Sequence, residues 1–451
     1  MKILLVSPPQ LREVPIFRID EGWWMPLGLL SIATYLRTYL PDTNVEILDG
    51  EVKSYSEIRQ IIQRTDAEIV GFSPNICNYR LTLELAEEAK NRGAVVIFGG
   101  HHASALAEAI LRKRSFVDFV VRGDGEKAML EIVKGKKLSE IPNLSYRRGR
   151  EIVHNSIKWL DLNKLPDIDY RFIDPHPYWV NHKRYYPLSK ECPYKKPLVI
   201  ASQRGCRWRQ RSGGCIFCAR MEPNWRARDP DRVWQEIIKW EQEWKIDSVA
   251  DVCDDFLSSL DWFEKFYNSR PLTTKVGLRY IYARPDQLNE KSVKKLKDLK
   301  TWTVFLGVES GDEGCLRRCR KGFGPVQQKK AVELLAKDEI YCCLSFVLGL
   351  PGENKDSLKK TYKQAEELLR IGKVDLFFVN ILNPTPGSRA WRLLLKTEEG
   401  KKLAQTDLID PEEIQQIWVK HFCNISYKEL TKAQSEMLSW HSSGIAEYNQ
   451  A

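Results

Sequence analysis

Short apolar runs separated by amphipathic stretches recur along this chain, and the pattern occurs twice. Lys2-Ile-Leu-Leu-Val-Ser7, Asn44-Val-Glu-Ile-Leu48, Ala67-Glu-Ile-Val-Gly-Phe-Ser73, Ala94-Val-Val-Ile-Phe-Gly-Gly100 and Val117-Asp-Phe-Val-Val121 each read as a buried strand. Between them, residues 25–36, 54–64, 81–93 and 103–113 carry helical periodicity. Strands this short and this apolar, each followed by a helix, require a parallel sheet covered on both faces. In such a sheet ligands sit beyond the carboxyl ends of the strands. Here those ends are Ser7-Pro-Pro, Ser73-Pro-Asn, Gly99-Gly-His-His and Arg122-Gly-Asp-Gly, all rich in small or polar residues.

The rhythm breaks over residues 136–197, where a hairpin pattern around Gly149 is followed by scattered prolines and aromatics. It resumes at Leu198-Val-Ile-Ala-Ser202 and continues through Ser248–Cys253, Val276–Tyr282, Thr303–Val308, Leu344–Gly349 and Leu376–Asn380. About six strand–helix units in this stretch predict a partial or full β/α barrel. Asp229-Pro230 is a good helix start, and Val233, Ile237, Trp240 and Trp244 recur behind it at helical spacing. Residues 400–451 read as a helical extension.

A chain of 451 residues suits two or three domains. Its net charge of +10 is a mild bias at this length and fits a solvated basic surface better than a nucleic-acid groove. Met1-Lys-Ile-Leu-Leu-Val-Ser-Pro-Pro9 lacks the length and cleavage pattern of a signal peptide, and no apolar run is long enough for a membrane span. A cytoplasmic location is expected, where the eleven cysteines serve as metal ligands, redox groups or core residues rather than disulfides.

Three of those cysteines lie in Arg204-Gly-Cys-Arg-Trp-Arg-Gln-Arg-Ser-Gly-Gly-Cys-Ile-Phe-Cys218, directly after a strand. Cys206, Cys215 and Cys218 are spaced C-x8-C-x2-C. Structural zinc takes four ligands, generally in pairs. Only one C-x2-C exists here, and the nearest histidine, His182, is 24 residues before Cys206. A remote fourth ligand such as Cys192 or Cys253 stays open. Three thiolates on one loop better suit an iron–sulfur cluster whose fourth iron is left for a ligand. Arg204, Arg207, Arg209 and Arg211 would offset its negative charge.

A strand running into a loop that closes with Cys-Ile-Phe-Cys218, at the start of a β/α barrel, resembles the radical S-adenosylmethionine (SAM) superfamily. That family's usual spacing is C-x3-C-x2-C, so the loop here is five residues longer, and Gly213-Gly214 would let it fold back. Leu306-Gly-Val-Glu-Ser-Gly311 resembles the family's strand end bearing a SAM-contacting Glu, which implies Glu309 and Ser310 as SAM residues. Asp254-Asp-Phe256 resembles the segment after the second strand and implies Asp255. Tyr282-Ala-Arg284 resembles the strand end with an Arg near SAM, and Val347–Glu353 the later Gly-Leu-Pro-Gly-Glu turn. The first region resembles the cobalamin-binding domain that precedes many radical SAM cores. The shared landmarks are Pro8-Pro9, Pro26-Leu-Gly-Leu-Leu30, Ser73, Gly99-Gly100-His-His-Ala103 and Arg122–Glu126. The resemblance implies Ser73, Asn75, Gly99 and Gly100 as cobalamin contacts. The Asp-x-His-x-x-Gly pattern that supplies a cobalt ligand in other cobalamin proteins is missing, since neither His101 nor His102 has an Asp two residues earlier.

The fold implied is α/β. A doubly wound, Rossmann-like cobalamin domain (1–135) leads through a connector (136–197) to a radical SAM barrel (198–399) and a helical C-terminal extension (400–451). The cofactors implied are a [4Fe-4S] cluster held by Cys206, Cys215 and Cys218, SAM, and cobalamin. The reaction implied begins with reductive cleavage of SAM to a deoxyadenosyl radical and ends with methyl transfer from methylcobalamin to an unactivated carbon. The substrate would be a peptide or small molecule, and the electron would come from an external carrier of the flavodoxin or ferredoxin type. No nucleic acid or membrane partner is expected. Two other readings stand beside it: rearrangement or cyclisation with the same cofactors, and a zinc-stabilised nucleic-acid-binding protein. Substrate is expected between the domains, walled by aromatic and histidine side chains of the connector (Tyr178, Trp179, His182, Tyr185, Tyr186) and of the extension (Trp418, His421, Trp440, His441).

Overall fold

The computed structural model describes residues 1–9, 22–185 and 192–441. Tyr186 and the last part of the expected extension, 442–451, lie outside the described residues. The chain forms two compact units.

The first unit comprises Met1–Tyr185, Ala219–Met221 and Trp391–Pro411. Its sheet contains β1 (Lys2–Ser7), β2 (Asn44–Asp49), β3 (Ile69–Phe72), β4 (Val95–Phe98), β5 (Phe119–Val121), β6 (Leu144–Arg148) and β7 (Glu151–His154). The strand order is β2-β1-β3-β4-β5-β6-β7. The first five are parallel, with Ile3 opposite Ile69 and Ile69 opposite Val95; β6 pairs antiparallel with β5, and β7 antiparallel with β6. This is a doubly wound sheet whose order reverses between β1 and β3, the place where such folds receive ligands. Leu4, Val6, Val70, Val96, Phe98 and Val120 are fully buried, as strands covered on both faces require. The helix Tyr55–Arg64 starts at a capping box in which Ser54 accepts from the Glu57 amide.

The second unit comprises Tyr186–Cys218, Glu222–Ala390 and the chain from Glu412. After β8 (Pro197–Ile200), two residues each of β9 (Gln203–Arg204) and β10 (Arg226–Ala227) make a small antiparallel ribbon. The main sheet adds β11 (Ser248–Asp251), β12 (Gly277–Ala283), β13 (Thr303–Glu309), β14 (Tyr341–Leu348) and β15 (Val374–Ile381). Its order is β15-β14-β13-β12-β11-β8, parallel throughout, so this is a partial barrel, an open six-stranded sheet. The helix Pro230–Trp244 begins as the sequence predicts, with Asp229 accepting from the Asp231 amide and Pro230 in the first turn. Val233, Ile237 and Trp240 are buried, so this Trp stripe is core.

The hairpin expected around Gly149 forms as β6 and β7 and extends the first sheet. The expected C-terminal extension is helical, and its residues divide between the two units. Residues 391–411 belong to the first unit, where Asp407 accepts from the Tyr79 hydroxyl and the Arg114 guanidinium, both at 2.7 Å. The helices Pro411–Phe422 and Tyr427–Ser439 supply core to the second: Ile414, Trp418, Leu430 and Met437 are fully buried. Trp418 Nε1 donates to Gly349 O at 2.8 Å, and Gln415 and Gln434 side chains donate to the β15 carbonyls of Ile381 and Val379.

Candidate functional site

The sequence cannot lengthen the cysteine loop without finding partners for its extra backbone, and here a helical turn provides them. Arg207–Ser212 forms that turn, after which Gly213 (φ +79°) and Gly214 (φ +81°) reverse the chain in the left-handed region that suits glycine. Cys206 thus stands before the turn, with Cys215 and Cys218 after it. Arg209 Nη2 donates to Cys218 O at 2.8 Å, and Trp208 Nε1 donates to Arg320 O at 2.8 Å. The Ile216 amide donates to Cys319 O at 3.1 Å. Cys206, Cys215 and Cys218 are all half-buried and free of disulfides. Burial pushes the Cys206 thiol up to about 11 and also raises Cys215, for which Lys321 and Arg284 act in the opposite direction. Thiols so placed need a metal's charge to ionise fully. No three His, Cys, Asp or Glu side chains among the described residues converge as a set for a single metal ion.

Beside this loop the second sheet gathers charge at its carboxyl edge. Glu309 ends β13 with φ +66°, at an irregularity in the β13–β14 register. A glutamate rarely adopts this conformation, which costs roughly 1–3 kcal/mol and is held only where neighbours enforce it. Its Oε1 accepts from Lys321 Nζ at 2.6 Å, and both side chains are over nine-tenths buried. Arg284 is buried, bonded to both Asp286 oxygens at 3.1 Å and to Lys321 O at 2.7 Å; its guanidinium lies 4.5 Å from the Trp208 ring centre. Asp255 accepts from Ser258 Oγ and Gln287 Nε2, both at 2.8 Å, while its Oδ1 is buried without a partner among the described residues. Burial pushes this carboxyl up to about 6. An unpaired buried oxygen of this kind is costly unless something donates to it. These groups suit a compact, zwitterionic ligand.

Ser310 is different. Its hydroxyl is fully buried, lies 2.9 Å from Thr361 Oγ1 and accepts from the Asp312 amide at 3.1 Å. The side chain serves the turn after β13. Glu353, in the Gly-Leu-Pro-Gly-Glu turn, is fully buried with Oε1 unpartnered among the described residues, and burial pushes it up to about 7. Lys321 was not singled out from the sequence, because a lysine following a helix resembles any solvated lysine. The signal available was its place between Cys319 and Phe323, two apolar positions.

At the carboxyl edge of the first sheet the groups are small. Gly100 has φ +81°, and a Cβ there would lie 3.0 Å from Ser73 Oγ, so the β3 and β4 loops touch at this point. Gly99 precedes it in extended conformation. Asn75 is exposed, but its Oδ1 accepts from the Cys77 and Asn78 amides at 2.8 and 3.1 Å, and Asn78 in turn donates to Pro8 O. The loop is therefore built by Asn75 rather than offering its amide. Burial pushes the Cys77 thiol up to about 12. His101 is exposed and accepts from Arg220 Nη1 at 2.5 Å. His102 is buried beside the Tyr79 ring, with neither ring nitrogen hydrogen-bonded among the described residues, and burial lowers it to about 4. Small side chains and close backbone approach suit a large ligand with a phosphate-bearing tail.

Several side chains expected to wall a substrate are core instead. Tyr178 is buried and donates to Asp49 Oδ2 at 2.6 Å, His182 is buried against the Trp23 ring, and Trp418 is fully buried.

Comparison with known proteins follows these two regions. The description "B12 binding domain" matches residues 20–133, and "Radical SAM superfamily" matches residues 200–365. An uncharacterized methyltransferase of Pyrococcus horikoshii is 27% identical over 96% of this chain and 91% of its own length. An anaerobic magnesium-protoporphyrin IX monomethyl ester cyclase of Cereibacter sphaeroides is 25% identical over 76% of this chain, which spans 56% of that protein. Among solved structures, the radical SAM methyltransferase TsrM of Kitasatospora setae superposes with a TM-score of 0.67 at 17% identity. It covers 87% of this chain and 76% of its own, and at that identity the likeness is one of fold. A doubly wound B12 domain ahead of a partial barrel with a cysteine loop defines a radical SAM enzyme that also uses cobalamin. The two matched domains are a B12 binding domain and a radical SAM domain, and the cofactors that go with them are a [4Fe-4S] cluster, SAM and cobalamin.

Proposed function

We propose that this chain transfers a methyl group to an unactivated carbon of a peptide or small molecule. When bound, the cofactors supply a carbon-centred radical from SAM and a methyl group carried on cobalt. The protein's own residues bind, orient and shield. Cys206, Cys215 and Cys218 hold the cluster, while Glu309, Arg284 and Asp255 orient SAM against it. Ser73, Asn75, Gly99 and Gly100, in the region 1–135, shape the cobalamin seat, Asn75 and Ser73 through their loops. Ser310 supports Glu309 from within the turn. An external one-electron carrier of the flavodoxin or ferredoxin type reduces the cluster, and the enzyme works in the cytoplasm. No helix among the described residues is long and apolar enough to cross a membrane.

The observation that carries this reading is the cysteine loop seated against a buried, strained Glu309 and its partners, in a chain that also has a cobalamin-type sheet. Rearrangement or cyclisation is the second reading, favoured by the cyclase relative. The test is anaerobic incubation of the loaded enzyme with methyl-deuterated SAM, a reductant and a pool of cellular peptides and metabolites. Methyl transfer yields a product gaining one deuterated methyl group. Substrate conversion with deoxyadenosine formation and no label in the product would establish the second reading instead.

A further inference from the structure

Lys321 is the only lysine buried among the described residues. Its Nζ lies 2.6 Å from Glu309 Oε1, 5.8 Å from the Phe217 ring centre and 5.5 Å from that of Phe323. Phe217 stands between two of the cysteines, Cys215 and Cys218. The peptide around Lys321 is held as well. Its carbonyl accepts from Arg284, and the Cys319 carbonyl two residues earlier accepts from the Ile216 amide. Lys321 is the only hydrogen-bond partner of the Glu309 carboxylate among the described residues. The Glu309 backbone is fixed from the other side, where Gln328 Nε2 donates to Val308 O at 2.8 Å and Ser310 O at 3.1 Å.

Burying an ammonium and a carboxylate together costs desolvation that their attraction hardly repays, so an apolar pair would serve stability as well. The pair is thus better explained by the site. Burial alone would push the Lys321 ammonium down, and the Glu309 carboxylate holds it above the ordinary lysine value, so it stays charged. In a buried setting, a lone carboxylate near a cluster ligand would oppose the arrival of an electron. An ammonium at hydrogen-bond distance cancels that field and also fixes the carboxylate in a conformation that glutamate would not otherwise keep.

We propose that Lys321 is a positioning residue for the SAM and cluster site. It pins Glu309 at the end of β13 and offsets the negative charge of Glu309 beside the Cys215–Cys218 turn, so the cluster accepts its electron more readily than it would next to Glu309 alone. This rests on the three cysteines holding the cluster. The test is an EPR-monitored redox titration of the anaerobically reconstituted full chain without SAM, together with its iron content. Lys321→Met should disfavour cluster reduction about tenfold, a fall of about 59 mV for one electron. Lys321→Arg should stay close to wild type. Glu309→Gln should shift the potential upward, and the double variant should return toward wild type. If Lys321→Met takes up no iron, Glu309→Gln decides: a raised potential supports the inference and an unchanged one overturns it. A loaded Lys321→Met with the wild-type potential overturns this inference alone. A wild-type chain that takes up no iron overturns the cluster assignment, and the inference with it.

Discussion

The carboxyl edges of the two sheets are made from the same kind of short parallel strand, yet they end in opposite chemistry. The first presents glycines, a serine and an Asx-type loop whose polar groups are engaged with one another. Its buried histidine is held neutral. The second carries a strained glutamate, a buried lysine, a buried arginine and an aspartate with one oxygen unpartnered among the described residues. The difference teaches what each edge is for. A large ligand that carries its own metal needs room and close backbone approach, so the protein supplies little charge. A cluster and a small zwitterion need fixed charges at fixed places, and those cost burial and strain.

The sharpest way to break this contrast is at the cysteines. Replacing Cys206, Cys215 and Cys218 by Ala should abolish iron–sulfur absorbance and SAM cleavage while leaving cobalamin uptake in place. Cys206→Ala alone should do the same, because the turn Arg207–Ser212 and the two left-handed glycines account for the long spacing. Retention of iron and SAM cleavage in that single variant would mean another residue is the third ligand.

Next in size is Trp418→Ala, which should cost about 4 kcal/mol in urea unfolding, as for other buried tryptophans. Deleting the chain from Glu412 should therefore prevent the second unit from folding, rather than merely opening its site. A truncated chain that still holds the cluster with normal stability would contradict the packing of Trp418.

Glu353 tests the cost of buried charge at the second edge. Its folded carboxyl titrates near 7, above its unfolded value, so the native state binds the extra proton and stability from this group falls as pH rises from about 5 to 7. Glu353→Gln should be more stable than wild type at pH 8 by about 3 kcal/mol, with the gain disappearing toward pH 4. A gain of equal size at both pH values would contradict the titration.

At the first edge the effects should be smaller and selective. Gly100→Ala places a Cβ against Ser73 in a left-handed conformation, at a cost of about 1 kcal/mol or more. It should weaken cobalamin binding about tenfold, by spectroscopic titration, and leave iron content unchanged. His102→Ala and His101→Ala should change least: EPR of the Co(II) form should lack nitrogen splitting in wild type and in both variants. A nitrogen triplet lost in one of them would identify a cobalt ligand and remove the neutral-edge account.

Much of the fold was legible because its signals are local. Apolar runs such as Ala94–Gly100, and Asp229-Pro230 ahead of a Trp stripe, state strand and helix without reference to distant partners. The cysteine loop was legible for the same reason. What the residues could not announce was partnership. Trp418, Tyr178 and His182 read equally well as a substrate wall or as core, and burial decides for core. Ser310 shares its motif with Glu309, but the left-handed turn at Glu309 sends the serine hydroxyl to Thr361. Asn75 was a fair candidate by its place at a strand end, and its amide oxygen is spent on its own loop. Lys321 became visible only once Glu309, 12 residues earlier, was seen at its ammonium.

The most direct measurement of the central claim is an anaerobic turnover of the full chain, reconstituted with iron, sulfide and cobalamin, using methyl-deuterated SAM and a strong one-electron reductant. The account predicts about one cluster and one cobalamin per chain, with release of deoxyadenosine and deuterated methyl on cobalt; Cys215→Ala should lose the deoxyadenosine. A chain that binds zinc in place of the cluster, or that carries both cofactors and yields neither product, would contradict it.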